Sequence, residues 1–228
     1  MIDPHDDNLP QYGRRDWLYA RAVWVPTLGY NMLLGRVLRL RNWWDFVDDS
    51  VIIGALPMAW DVKRLKKLGV TGVVNTCEEY GGPVKRYRLA GIEQLRVPTV
   101  DFTHPTLESV MAGVDFIERH VKAGGKVYVH CKAGRGRSAT IVMGYLMQHH
   151  GMTPEEAQQR LLEARFHVNR RLATRPVVLA YYRQLQRDAA EEVKAAQAAG
   201  EAPHIMTSHD VASPELPGDD VDEASGSP

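Results

Sequence analysis

The loop at residues 130–138 constrains the fold of this chain more than any other segment, because it joins a short apolar run to a helical stretch. Residues 127–129 read Val-Tyr-Val, which is typical of a buried strand, and residues 139–150 have the spacing of a helix. The loop itself reads His-Cys-Lys-Ala-Gly-Arg-Gly-Arg-Ser. We therefore expect a cysteine at the carboxyl end of a strand, directly before the N-terminus of a helix.

The segments around this loop alternate between strand and helix patterns. Strands are predicted at residues 50–55, 72–77, 93–97 and 127–130. Helices are predicted at residues 60–68, 106–123, 137–150, from 153 onward, and at 174–186. Strands separated by helices predict a single α/β domain over residues 45–188, with a central, largely parallel sheet flanked by helices.

The two ends of the chain differ in composition from this domain. Residues 1–16 are polar and are predicted to be a flexible leader, and residues 189–228 are a predicted disordered, acidic tail. Residues 17–44 combine aromatic and aliphatic side chains with arginines, so we expect an amphipathic segment. Two interpretations stay open for it: the segment lies in a membrane interface, or it packs on its own domain with its arginines in water.

The overall composition limits the partners and the compartment. The 28 basic and 28 acidic residues cancel, which gives no reason to expect nucleic acid as a partner. The chain has two cysteines, Cys77 and Cys131, and this favours a reducing, intracellular compartment over a secreted disulfide scaffold. The polar N-terminus does not resemble a signal peptide, and no apolar run is long enough for a membrane span.

The composition of the loop is that of a phosphate-binding site with a nucleophile. Backbone amides at a helix N-terminus, together with Arg137, favour the thiolate of Cys131 and form a concave site for a phosphate dianion. Gly134 and Gly136 permit the backbone conformations that such a site requires. The residues expected to bind phosphate are Lys132, Ala133, Gly134, Arg135, Gly136 and Arg137.

This arrangement predicts hydrolysis of a phosphomonoester in two steps. Cys131 attacks phosphorus and water then hydrolyses the phosphocysteine, while Ser138 stabilises the leaving thiolate by a hydrogen bond. Asp101, which lies 30 residues before the cysteine, is the expected general acid and base, and a turn or cap aspartate is the alternative. We expect no cofactor and no metal, because the amides and Arg137 stabilise the charge.

Other interpretations of these residues are weaker. A buried structural thiol beside an ordinary strand–helix turn does not account for Cys131, Arg137 and Ser138 together. The loop also lacks the Gly-Lys-Ser/Thr ending of a nucleotide P-loop. Cys77 is predicted to be a core thiol at a strand end, with a redox disulfide to Cys131 as the alternative. His130 is expected to support the loop by hydrogen bonding.

The spacing Cys-x5-Arg-Ser resembles the signature of the cysteine-dependent protein tyrosine and dual-specificity phosphatases. Within that family the chain is most similar to the mitochondrial-type phosphatidylglycerophosphate phosphatases and their plant relatives. The similarity includes Gly-Ala-Leu-Pro at 54–57, Asn-Thr-Cys-Glu-Glu-Tyr at 75–80, Val-Asp at 100–101 and the loop, and it extends over roughly residues 22–187. It implies a protein-tyrosine-phosphatase-like fold, with Asp101 as the general acid.

The resemblance also implies a substrate and a location. Glu78, Glu79 and Tyr80 would border the substrate pocket, although Gly-Gly-Pro at 81–83 departs from the family pattern. The implied reaction converts phosphatidylglycerophosphate to phosphatidylglycerol, a step toward cardiolipin. The implied partners are an anionic phospholipid and a membrane surface, on the cytoplasmic face in a bacterium or in a mitochondrion in a eukaryote.

Two alternatives to a lipid phosphatase stay open. The first is a dual-specificity protein phosphatase acting on phosphotyrosine and phosphoserine or phosphothreonine, and the second is a catalytically inactive phosphate-binding module. Lys132 and Arg135 add positive charge that suits a substrate with a second phosphate, but a phosphotyrosine pocket tolerates the same residues. The sequence makes no prediction of the oligomeric state.

Overall fold

The computed structural model describes residues 13–198. Five strands occur in this range: β1 (Trp44–Phe46), β2 (Val51–Gly54), β3 (Val70–Cys77), β4 (Glu93–Thr99) and β5 (Lys126–His130). Seven α-helices accompany them: α1 (Arg14–Met32), α2 (Val62–Lys67), α3 (Val84–Ala90), α4 (Leu107–Lys122), α5 (Arg137–His149), α6 (Pro154–Ala164) and α7 (Pro176–Ala198). A π-helical turn, Leu33–Val37, follows α1 directly.

The chain divides into two units, residues 1–190 and residues 191–228. The first unit contains the sheet. Of the second unit, residues 191–198 are described, and they are helical.

The five strands form one sheet in the order β1-β2-β5-β3-β4. The last four of these strands are parallel, and β1 pairs with β2 in the antiparallel direction. The prediction of an α/β domain with a largely parallel sheet is therefore confirmed. Strand β5 lies at the centre, where His130 is in register with Gly54 of β2 and Asn75 of β3. The carboxyl ends of the parallel strands meet at one edge of the sheet, and the loop after β5 begins there.

The sheet is covered on both faces, and alternate residues of β5 contact different cores. Val127 and Val129 belong to a cluster that α4, α5, α6 and α7 complete, whereas Tyr128 belongs to a second cluster with residues of α2 and α3. This alternation is the strand periodicity of two. Burial on both faces is also why the parallel strands read as nearly continuous apolar runs.

Local signals in the sequence set several helix ends. The Thr106 hydroxyl accepts a hydrogen bond from the Ser109 amide at the start of α4. Thr153 and Glu156 form the predicted capping box at the start of α6, with Pro154 as its first residue. Gly151 has a φ of 63° just after α5, a conformation that glycine adopts without strain.

The predictions for the two ends of the chain need correction. Helix α1 begins at Arg14, so residues 14–16 of the predicted flexible leader are helical, and residues 1–12 lie outside the described residues. Helix α7 continues to Ala198, so the prediction of disorder from residue 189 is wrong as far as residue 198. That stretch is rich in alanine and glutamate, which have high helix propensity. Residues 199–228 of the predicted tail lie outside the described residues.

Residues 17–44 do not form a single amphipathic helix. The apolar residues of α1 are spread around the helix instead of lying on one face. Trp43 and Trp44 are buried in the cluster on the α2 face of the sheet. Arg36 lies 4.2 Å from the centre of the Trp43 ring. The end of the segment therefore packs on its own domain. Strand β1 and helix α3 are two further elements that the sequence analysis did not predict.

Candidate active site

The loop between β5 and α5 begins at Cys131 and ends where Arg137 starts the helix. Gly134 has a φ of 69°, and a Cβ atom there would lie 2.6 Å from the carbonyl oxygen of Gly54. Glycine is therefore required at position 134 for both its backbone conformation and its close approach to β2. Arg165, at the end of α6, donates hydrogen bonds to the carbonyls of Ala133 (3.0 Å) and Gly134 (3.1 Å) and so holds the loop from outside.

The sulfur of Cys131 is surrounded by hydrogen-bond donors. It accepts from the amide of Gly134 at 3.2 Å and from the hydroxyl of Ser138 at 3.3 Å. Burial by itself raises the pKa of a thiol, but the charge of Arg137 and the bonds from Ser138 and the Ala133 amide outweigh it. The pKa of Cys131 is lowered from 9.0 to about 7. A large fraction of Cys131 is thus thiolate at neutral pH, which is the reactive form.

The second cysteine, Cys77, has a thiol whose pKa is shifted in the opposite direction. Cys77 is fully buried at the end of β3, and the two cysteines are not bonded to each other. Burial raises the pKa of the Cys77 thiol well above its usual value. Cys77 is therefore an unreactive core thiol in this structure. This agrees with the prediction of a core thiol at a strand end and not with the alternative of a disulfide to Cys131.

The guanidinium of Arg137 is buried and is held by two carboxylates and a carbonyl. It lies 2.8 Å from the carboxylate of Glu79 and 3.0 Å from that of Asp101. It also donates to the carbonyl of Thr99 at 2.7 Å. These contacts fix the plane of the guanidinium beside the sulfur, so that its fork can face phosphoryl oxygens.

Asp101 lies in the turn that follows β4, and the turn directs it toward the loop. The amide of Thr103 donates to the carbonyl of Val100 at 3.2 Å to close this turn. The second oxygen of the Asp101 carboxylate pairs with the ammonium of Lys132. Lys132 is buried, and it also donates to the hydroxyl of Thr27 in α1 at 2.7 Å. Asp101 is thus brought to the catalytic loop by two basic residues of that loop.

The structure places Glu78, Glu79 and Tyr80 beside the loop, and none of the three lines the cavity that opens above Cys131. The side chain of Glu79 is 1% exposed and pairs with Arg137. Glu78 pairs with Arg21 of α1 at 3.0 Å, and the Tyr80 hydroxyl donates to the carbonyl of Pro57 at 2.7 Å. The three residues therefore contact the elements around the site instead of bordering its cavity, as the resemblance had implied.

His130 does not line the cavity either. It is fully buried, and burial lowers its pKa to about 3, so the imidazole is neutral at physiological pH. Its carbonyl accepts a hydrogen bond from the Thr76 hydroxyl at 3.0 Å, which ties β5 to β3.

The cavity above Cys131 has a volume of about 830 Å³. Among residues 13–198, the basic side chains that line it are Lys132, Arg135, Arg137, Arg170, Arg171 and Arg175, and the one acidic side chain is Asp101. Phe102 and Phe166 form exposed aromatic walls. Helix α1 contributes Thr27, Tyr30 and Asn31. The cavity therefore extends beyond the phosphate loop into a second region that is strongly positive.

Residues 51–184 match the family described as dual specificity phosphatase, catalytic domain. The chain belongs to the dual specificity phosphatases. This phosphatase is 41% identical to the phosphatidylglycerophosphate phosphatase PTPMT1 of Arabidopsis thaliana over 166 residues, which is 72% of this chain and 49% of the relative. It thus spans about half the length of that plant protein.

A mammalian relative is matched over nearly its full length. The phosphatase is 39% identical to the phosphatidylglycerophosphatase and protein-tyrosine phosphatase 1 of Mus musculus over 181 residues, 75% of this chain and 94% of the relative. A crystal structure of PTPMT1 in complex with PI(5)P superimposes with a TM-score of 0.61 at 38% identity and covers 65% of this chain and 99% of that one. The expected protein-tyrosine-phosphatase-like fold is confirmed.

Several residues of the phosphatase site were missed by the sequence analysis. The basic group at residues 170, 171 and 175 lies between α6 and α7, about 40 residues after Cys131, and the local density of arginine was the only signal that pointed to it. Thr27, Tyr30 and Asn31 belong to α1, which lies outside the matched region 51–184. Only the folded chain brings these two segments to the loop.

The assembled site has the groups that hydrolysis of a phosphate ester requires. A thiol of lowered pKa lies against backbone amides, a guanidinium is fixed beside it, and a carboxylate lies above the same loop. A hydroxyl is bonded to the sulfur and can stabilise it as a leaving group. Such a site can carry out nucleophilic attack, charge stabilisation and proton transfer with side chains of one chain.

Proposed function

We propose that this phosphatase hydrolyses phosphatidylglycerophosphate to phosphatidylglycerol at a membrane surface. The observation that carries the proposal is the second basic region of the cavity, formed by Arg170, Arg171 and Arg175. Phosphatidylglycerophosphate has a terminal phosphomonoester and an internal phosphodiester, so two anionic groups need positive charge. The names of the relatives in Arabidopsis thaliana and Mus musculus support the same substrate.

In the proposed first step, the Cys131 thiolate attacks the phosphorus of the monoester while Arg137 and the loop amides bind its oxygens. The bond between phosphorus and the glycerol oxygen breaks, and Asp101 donates a proton to that oxygen, acting in the protonated form that its carboxyl group takes once it has left Arg137. The incoming phosphoryl group competes with the Asp101 carboxylate for the same Arg137 nitrogen, which lies 3.0 Å from it in the structure. Substrate binding therefore releases Asp101 toward the leaving group.

In the second step, water attacks the phosphocysteine and Asp101 accepts its proton. The phosphorus–sulfur bond breaks, and the Ser138 hydroxyl, 3.3 Å from the sulfur, stabilises the thiolate that leaves. The products are phosphatidylglycerol and inorganic phosphate. Lys132 positions Asp101 through their ion pair, and Glu79 positions Arg137.

Helix α1 supports the membrane part of the proposal. Its exposed apolar and aromatic side chains include Trp17, Leu18 and Tyr19, and its sequence also contains arginines. Tyr30 of the same helix lines the cavity. The same helix packs on the site through Thr27. No helix among residues 13–198 is long and apolar enough to cross a bilayer. We therefore propose peripheral contact, with α1 between the bilayer and the catalytic loop.

A second candidate function is dephosphorylation of proteins. The exposed rings of Phe102 and Phe166, which both line the cavity, can contact the ring of a phosphotyrosine. This candidate does not use the charges of Arg170 and Arg171, because a phosphotyrosine side chain has a single anionic group.

A substrate panel tests the proposal. Wild-type protein is compared on phosphatidylglycerophosphate in detergent micelles, a phosphotyrosine peptide and an aryl phosphate. The variant with Arg170→Gln and Arg171→Gln is expected to raise KM for the lipid at least tenfold, since about 1.4 kcal/mol of lost charge pairing is a factor of ten. Its effect on the aryl phosphate should be much smaller.

The control is Arg183→Gln with Arg187→Gln on α7, which removes two charges away from the cavity. A strong preference for the peptide, or equal losses on the lipid and the aryl phosphate, would contradict the proposed substrate.

A further inference from the structure

A second groove lies between α2 and α3, apart from the catalytic cavity. Its volume is about 700 Å³, and its lining includes Trp60, Lys63, Lys66, Lys67, Arg86 and Leu89. None of these six residues contributes to the catalytic cavity. Helices α2 and α3 hold the groove in shape, because their inward-facing Leu65 and Tyr87 are both buried in the cluster on this face of the sheet.

The apolar residues of the groove are unusually exposed. Trp60 is 67% exposed and Leu89 is 82% exposed. A single exposed leucine is ordinary, but an exposed tryptophan beside the same groove adds a large amphipathic ring, the side chain that proteins place at the boundary between lipid headgroups and acyl chains.

The charge of the groove is positive and is not neutralised within the described residues. Its lining contains four basic side chains and no carboxylate. Among residues 13–198, none of the four forms an ion pair. Their long aliphatic stems can cover apolar surface while the charged ends reach outward. Basic ends around an aromatic and an aliphatic side chain are complementary to an anionic lipid surface.

The groove begins close to the catalytic loop. Residues 56–61 lead from β2 into α2, and the amide of Leu56 donates to the carbonyl of Lys132 at 3.4 Å. Pro57 accepts the hydrogen bond of Tyr80 at 2.7 Å. Asp61, next to Trp60, pairs with Arg36 of the π-helical turn, which also exposes Leu33 and Val37. The Arg36–Asp61 ion pair therefore joins the segment that follows α1 to the start of α2, next to Trp60 of the groove.

We propose that the α2–α3 groove is a docking site for an anionic phospholipid bilayer. Trp60 and Leu89 enter the headgroup boundary, and the four basic side chains contact lipid phosphates. The proposal rests on the proposed function in one respect, since a lipid substrate requires the enzyme to reach a bilayer. It adds a surface that binds lipids which are not substrates.

Flotation with vesicles that contain no substrate tests this site. Full-length protein is mixed with vesicles of phosphatidylcholine alone or with phosphatidylglycerol added, and the bound fraction is measured. Lys63→Gln with Lys67→Gln is expected to lower partitioning onto the anionic vesicles roughly 25-fold, because each basic residue near such a surface contributes about fivefold. Trp60→Ala with Leu89→Ala should lower it at least tenfold.

Matched controls are available on other surfaces of the fold. Lys122→Gln with Arg183→Gln removes the same charge from α4 and α7, and Phe46→Ala with Leu179→Ala removes one exposed aromatic and one exposed aliphatic side chain, of smaller exposed area, from surfaces outside the groove. All variants should retain aryl phosphate turnover, which shows that they are folded.

Unchanged flotation of both groove variants would overturn the proposal, and so would losses of the same size in the controls. Capture of an acidic peptide by the groove without binding to anionic vesicles would also overturn it. These outcomes are separate from the substrate panel, because the vesicles contain no phosphatidylglycerophosphate. A protein that floats through the groove but hydrolyses only peptides would contradict the proposed substrate and leave the docking site standing.

Discussion

The hydrogen bond from Ser138 to Cys131 offers a direct test of how this site activates its thiol. The hydroxyl lies 3.3 Å from the sulfur, and both side chains are buried. A hydrogen bond to a charged group contributes about 1.5–3 kcal/mol, and about 1.4 kcal/mol corresponds to a tenfold change in proton affinity. Ser138→Ala should therefore raise the pKa of Cys131 from about 7 to roughly 8–9.

The rate of alkylation by iodoacetamide measures this change. Only the thiolate reacts, so the rate increases with pH through the pKa of the thiol, and a higher pKa moves that increase to higher pH. At pH 7 the alkylation rate of the variant should be roughly 5- to 50-fold lower than that of the wild type. Mass spectrometry of peptides follows Cys131 and Cys77 separately, and the buried Cys77 should stay unmodified in the folded protein.

Thr140→Ala is the matched control. Its hydroxyl lies in the same first turn of α5 but does not bond to the sulfur: it donates to the carbonyl of Gly136 at 3.0 Å and accepts from Arg175 at 3.0 Å. The control should leave the midpoint of the Cys131 alkylation curve in place. A midpoint that does not move in Ser138→Ala, or that moves equally in Thr140→Ala, would refute stabilisation of the thiolate by the Ser138 hydroxyl.

Three further predictions concern the groups around the thiol. Asp101→Asn should lower kcat on a substrate with an alkoxide leaving group about 10²–10⁴-fold and on an aryl phosphate much less; equal losses on the two substrates would argue against proton donation. Glu79→Gln leaves the buried Arg137 with one carboxylate partner, so the free energy of unfolding measured in urea should fall by about 3 kcal/mol. A loss under about 1 kcal/mol would contradict a stabilising ion pair between Glu79 and Arg137. Thr27→Ala removes the hydrogen bond between α1 and Lys132 and should lower kcat/KM about tenfold, and Thr27→Ser should restore the wild-type value. If serine does not restore kcat/KM, the hydroxyl of α1 does not position Lys132.

Local sequence patterns predicted a large part of the fold. The helices that begin after Thr106 and Thr153 start where their caps predict, because a cap depends on residues three positions apart. The strands β2, β3, β4 and β5 were predicted as short apolar or alternating segments, and each was found within about two residues of its predicted bounds. Strand β1 was missed because its three residues are too few for a periodic signal.

The site divides in the same way between local and distant contributions. One segment of eight residues, 131–138, contains Cys131, the loop glycines, Arg137 and Ser138. Their spacing alone therefore predicted a phosphate-binding loop with a nucleophile. The sequence did not predict that Glu79 pairs with the buried Arg137. The two residues are 58 positions apart, and they meet only when β3 and β5 pair. The contributions of α1 and of Arg170 needed the same long-range packing.

The sequence by itself therefore determined the chemistry of the thiol, because a helix N-terminus, its amides and its first side chains are made by neighbouring residues. The tertiary structure alone decided which groups surround that chemistry. Lys132 was expected to attract a second phosphate, yet in the fold it is buried between Asp101 and Thr27. The positive charge beyond the loop comes instead from Arg170, Arg171 and Arg175, which no local pattern connects to the cysteine. The physical reason is that the interaction energy of two charges depends on the distance between them in space, and folding sets that distance.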